Sequence, residues 1–204
     1  MKNLFALLFC MTCINTAWSF NDAEELQLIL NQNGFTNAVL KDVKLIKHVK
    51  RSAPEAKFSF HHYDLENISK HAVIQIDITN NVELEEGSKM TQLFYKSVFN
   101  SYQNRKSPYA GETSTTLTCA MENQPTIREV SYYSSHSYVL LANASERNAL
   151  GICDKELFKK KTIFFVGYNH KSKTFFNIRI FIPNANFNQK LYDDFAKQFG
   201  EANY

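Results

Sequence analysis

Apolar positions recur at helical spacing near the start of the chain, switch to every second residue through its middle, and return to helical spacing at the end. Leu26, Ile29 and Leu30 fall on one helical face. Asn21 and Glu24 stand before them in N-cap and capping-box positions, and Gly34 stands where a left-handed residue stops a helix. The pattern predicts a helix over 22–33. Residues 35–50 fit two patterns, because Val39, Val43 and Ile46 have helical spacing while Val43, Leu45, Ile46 and Val49 fit a twisted strand. The turn at Arg51-Ser52-Ala53-Pro54 favours a strand over 43–49.

Strict alternation follows. Phe58, Phe60 and His62 oppose Ser59, His61 and Tyr63, and Ile74, Ile76 and Ile78 oppose Val73, Gln75 and Asp77. This is the period of half-buried antiparallel strands, so 57–63 and 72–79 are expected to form a hairpin with 64–70 as its polar connection. Met90, Leu93, Phe94, Val98 and Tyr102 return to helical spacing after the acidic Glu83, Glu85 and Glu86. That predicts a central helix ending before Ser107-Pro108. Strands are expected at 113–121, 126–133 and 137–142, then a longer polar connection over 143–161. A final hairpin is expected over 162–168 and 174–182, and a C-terminal helix over 186–199 ahead of Gly200. The sum is a single α+β domain. Its mainly antiparallel sheet has about six to eight strands, with an N-terminal, a central and a C-terminal helix.

The first 19 residues change where this domain is expected to work. Lys2 precedes an uncharged apolar run from Leu4 to Ile14, and Ala17 and Ser19 occupy the −3 and −1 positions of a cleavage site. That is the layout of a secretory signal peptide. The apolar run falls short of the roughly 20 residues that span a bilayer. The expected division is a signal peptide at 1–19 and an exported domain at 20–204, periplasmic or extracellular, with no integral membrane segment after processing. Removing Lys2 leaves 22 basic against 20 acidic residues, so near-neutral charge argues against nucleic acid as a partner.

Cys10 and Cys13 leave with the signal, and Cys119 and Cys153 remain. Two cysteines in an exported chain are expected to pair. The loop so closed, about 35 residues, is worth roughly 3–4 kcal/mol of unfolded-state entropy. Asn67-Ile68-Ser69 and Asn143-Ala144-Ser145 match glycosylation sequons, both in expected loops.

Candidate chemistry is sparse. His61 and His62 point to opposite faces of a strand, whereas His62 and Asp64 share one, a pairing used in general-base and metal chemistry. The simpler reading is a strand end where His62 meets solvent and Asp64 begins a turn. No metal site and no cofactor is expected, because no close set of three or four ligands occurs. No P-loop, nucleophile elbow or dinucleotide fingerprint occurs either. Lys159, Lys160, Lys161, Lys171, Lys173 and Arg179 cluster in sequence around the last hairpin as a candidate binding patch; the plainer alternative is lysines that protect a sheet edge. The reading favoured is an exported non-enzymatic module that binds a protein or small ligand, such as an inhibitor, immunity or assembly factor. The alternative is a secreted or periplasmic hydrolase using a His62/Asp64 acid–base pair.

Overall fold

The computed structural model describes residues 22–36, 38–52, 58–85, 89, 91–92, 118–121, 126–146 and 160–201; for 38, 118–121, 144–146 and 201 it describes the backbone alone. The protein is mainly β: one antiparallel sheet with two helices among these residues. Helix α1 spans 22–32 and α2 spans Gln189–Lys197. The strands are β1 Val43–Ser52, β2 Ser59–Asn67, β3 Ala72–Asn80, β4 Thr118–Met121, β5 Thr126–Tyr132, β6 Ser135–Glu146, β7 Lys160–Asn169, β8 Thr174–Pro183 and β9 Gly200–Glu201.

Seven of the nine strands are long; the short β4 falls within the strand expected over 113–121, and the two-residue β9 adds to the expected set. The expected central helix falls outside the described residues, except for a helical turn at 91–92. The expected loop at 64–70 is shorter than its polarity suggests. β2 continues to Asn67, because Leu65 and Asn67 keep facing the core while Asp64 and Glu66 face away. Likewise β6 runs on to Glu146 and β7 begins at Lys160, which shortens the expected 143–161 connection at both ends.

The strand order is β1-β2-β3-β8-β7-β6-β5-β9. Two meanders, β1–β3 and β5–β8, are zipped together where β3 pairs antiparallel with β8. Ala144 of β6 pairs with Lys160 on one side and Met121 on the other, so β4 lies in line with β5 along one edge of β6.

Both helices pack on one face, here the inner face. Leu26 and Leu30 of α1 and Tyr192, Phe195 and Ala196 of α2 join Ile74, Ile76, Ile78, Ile163, Phe165, Phe176, Ile178 and Ile180 in one buried cluster. Helix α1 ends in a Schellman turn: Gly34 has φ 79°, its N–H donates to Asn31 O at 3.1 Å, and Phe35 N–H donates to Leu30 O at 2.9 Å. That reversal drops Phe35 into the core against Tyr132, Phe165, Phe176 and Phe199, with centroids 5.0–5.9 Å away.

Two buried asparagines tie connections to this core. Asn33 Oδ1 accepts from Asn169 Nδ2 at 2.7 Å and Ser172 Oγ at 3.0 Å, anchoring the β7–β8 turn to the end of α1. Asn67, only 1% exposed, donates from Nδ2 to Val39 O and Lys41 O at 3.1 Å each. Its Oδ1 accepts from Ser69 Oγ at 2.9 Å and Lys70 N at 3.0 Å. The expected glycosylation loop at Asn67 is therefore a buried strand end whose amide is fully engaged. Asn143, the other sequon asparagine, lies within β6 and not in a loop, with Lys161 Nζ donating to its Oδ1. Asn67→Ala leaves two carbonyls and an N–H without this partner. It is expected to lower stability by about 2–3 kcal/mol in urea unfolding, at the cost of buried groups left unpaired; a loss under about 0.5 kcal/mol would contradict this account.

Candidate functional site

The outer face of β2, β3 and β8 carries a buried polar network. Antiparallel register sets two rows across it: His62, Asp77 and Asn177 in one, Asp64, Gln75 and Arg179 in the next. Each side chain alternates with an inward isoleucine or tyrosine, so the period that builds the core also aims these groups at one another. His62 Nδ1 lies 2.5 Å from Asp77 Oδ1, and His62 Nε2 lies 3.2 Å from Asp64 Oδ1. Gln75 Nε2 donates to Asp64 Oδ1 at 3.0 Å. Asp77 Oδ2 accepts from Arg179 Nη2 at 2.8 Å and Asn177 Nδ2 at 3.1 Å. Asp77, Gln75, Asn177 and Arg179 are all buried.

The electrostatics follow from this geometry. Burial pulls the His62 pKa down, but hydrogen bonds and charge from Asp64 and Asp77 outweigh it and raise the value from 6.5 to about 9. Burial pushes the Asp64 carboxyl up, and hydrogen bonds from His62 and Gln75, with help from Lys47, bring it below its ordinary value. At neutral pH His62 is an imidazolium whose two N–H groups both point at carboxylates. It has no lone pair to take a proton or bind a metal. Among the described residues no group of three His, Cys, Asp or Glu side chains is arranged to hold a metal ion.

The structure thus brings His62 and Asp64 together and adds Asp77, Gln75, Asn177 and Arg179 to them. It does not bring the hairpin cations together. Lys160 and Lys161 start β7, while Lys171 and Lys173 sit beyond its far end, about 30 Å away at 3.3 Å per residue. Lys173 pairs with Glu83 at 3.0 Å. Arg179 is buried, with its guanidinium on Asp77, and Lys159 lies outside the described residues.

Sequence reasoning missed a second cluster, on the inner face. Asp22 Oδ2 lies 3.0 Å from His48 Nδ1, and His48 Nε2 lies 3.2 Å from His61 Nδ1. Tyr63 stacks on His48 at 4.2 Å, with its hydroxyl 3.3 Å from His61 Nδ1. Burial, then Lys50 and His48, hold the His61 pKa below 6.5. Period 2 places His61 beside Tyr63, but no local signal places Asp22 and His48 there. A groove of about 490 Å³ at the opposite sheet margin is lined by Arg128, Glu129, Val130, Ala196, Lys197, Phe199 and Gly200. It exists because β9 returns to pair with Val130 and Ser131.

No protein-family model, curated protein or solved structure matches this chain.

Proposed function

We propose that the chain is an exported, non-enzymatic binding module working in the periplasm or outside the cell. One observation carries the reading: both ring nitrogens of His62 face carboxylates of its own cluster, Asp64 and Asp77. His62 is held cationic between Asp64 and Asp77, so it locks β2 to β3 and is no general base near neutral pH. The hydrolase alternative needs that proton removed in the resting protein. The test is capture from the native envelope or secretome with the mature chain, alongside turnover assays on ester and peptide reporters. One stoichiometric partner, recovered equally by an Asp64→Asn variant, supports the module. Turnover that Asp64→Asn abolishes in a folded protein overturns it.

Export carries a further expectation. β4 pairs Thr118 with Glu146 and Ala120 with Ser145, so Cys119 sits beside the end of β6. Cys153 is seven residues beyond Glu146 and lies outside the described residues. Seven extended residues reach about 24 Å, ample for Cys153 to return to Cys119. The exported protein should be two hydrogens lighter before reduction than after. Its reduction should cost about 2–4 kcal/mol in an unfolding titration; two free thiols in the freshly exported protein would sink the pairing.

A further inference from the structure

β1 is the outermost strand on its side of the sheet, and among the described residues nothing pairs with its outer side. At ten residues it is long for an edge. Lys44, Lys47, Lys50 and Arg51 are all exposed, and β1 contains no acidic residue. Edges are protected against like strands by short length, by a bulge or by lysines; lysines still admit a strand that brings carboxylates. Here the register shift between Leu45 and Lys47 interrupts only the first part of the strand. Lys47 to Ser52 then pair without interruption with Asp64 to Ser59, leaving six residues of regular, open edge.

The charges on that stretch are unequally matched. Lys47 stands opposite Asp64, but Lys50 stands opposite His61 and Arg51 opposite Phe60, so neither has a carboxylate across the ladder. Apolar surface adjoins them, with Phe58 53% exposed just before β2. A second copy of the same edge would set lysine and arginine against lysine and arginine, which disfavours self-pairing.

We propose that Lys47–Ser52 is a docking edge that adds an acidic, extended segment of a partner protein as an extra strand. Main-chain hydrogen bonds supply the attachment, and carboxylates opposite Lys50 and Arg51 supply the selection. This assignment rests on the binding-module reading and names its surface and partner chemistry.

The test uses the mature chain and a blocked Val-Val-Glu-Glu-Val-Val hexapeptide, whose adjacent glutamates point to opposite faces as Lys50 and Arg51 do, with a Val-Val-Lys-Lys-Val-Val counterpart and phosphatidylglycerol vesicles as comparison probes. The acidic peptide is expected to slow amide exchange within 47–52 and to bind more weakly as salt rises. Its affinity should fall at least about tenfold in Lys50→Glu/Arg51→Glu, as expected for several lost charge contacts. Lys171→Glu, at the far hairpin turn, should leave affinity unchanged. Equal binding of the lysine peptide, protection elsewhere on the sheet, or binding insensitive to the double variant overturns the assignment. So does charge-sensitive binding of the vesicles without the peptide, which would make the edge a lipid-binding surface. Envelope capture separates the two levels. If the double variant recovers the same stoichiometric partner as the native chain, the docking edge falls and the module reading survives; if neither recovers one, both fall.

Discussion

Replacing Asp77 with Asn is expected to destabilise the protein by about 3–5 kcal/mol, the range for removing one partner of a buried ion pair. Asp77 is 6% exposed and receives His62, Asn177 and Arg179. Asn keeps the shape but removes the charge, leaving an imidazolium and a guanidinium in one buried cluster from which one of the two described carboxylates, Asp77, is gone. Denaturant unfolding measures the loss.

The pH dependence provides a second readout. His62 has a folded pKa raised above its unfolded value of 6.5, so its stabilisation is fully present below pH 6.5 and is lost as pH rises through about 9. At 1.36 kcal/mol per unit that is at most about 3 kcal/mol, counted once for the pair although Asp64 responds to it too. Asp64, lowered, contributes above its ordinary carboxyl value and loses that contribution as pH falls through its folded value. In Asp77→Asn one of the two carboxylates is gone. The alkaline loss of stability and the imidazole titration followed by NMR should both move to lower pH. An unchanged alkaline midpoint, or a cost under about 1 kcal/mol, would show that the network is not what joins β2, β3 and β8.

Phe165→Ala should cost about 3–5 kcal/mol, and Gly167→Ala about 1–3 kcal/mol, yet the two together should cost less than their sum. Phe165 is fully buried. It stacks on Phe199 at 4.5 Å and meets Phe35 and Tyr132 edge-on at 5.3 and 5.2 Å. Its ring lies over the bare Cα of Gly167. A methyl there would come 2.8 Å from Phe165 Cε1, nearer still to Cζ, and 3.0 Å from Ser137 Oγ. With aromatic rings on several sides, Phe165 cannot swing clear, so the methyl strains the core. Once the ring is truncated, most of that conflict disappears. A coupling of about 1–2 kcal/mol is expected from a double-mutant cycle by denaturant unfolding. Strict additivity would mean that Gly167 serves β7 for some reason other than making room for Phe165.

Much of this protein was legible from spacing. Alternation at 57–63, 72–79, 162–168 and 174–182 identified four strands that carry about half of the core, and Gly34 marked the end of α1. The same alternation put His62 and Asp64 on one side of β2. It failed where polarity and structure part company. Asn67 reads as a loop residue because it is polar, yet it is buried because its amide replaces water for two carbonyls and an N–H. Arg179 reads as one more surface cation of a basic hairpin, yet β3 supplies a carboxylate that lets it be buried.

The chain's periodicity by itself determined which residues face inward, because side-chain direction is a local property of helix and strand geometry. It did not determine which strand edges meet. The pairing of β3 with β8 joins segments about a hundred residues apart, and a two-residue period is the same whichever neighbour a strand takes. Only that tertiary choice sets Asp77 against Arg179, holds His62 between two carboxylates of a buried network, and leaves β1 as the edge strand among the described residues. The charge state of His62 and the edge position of β1 among the described strands therefore belong to the fold, while the residues that express them were already in place along the chain.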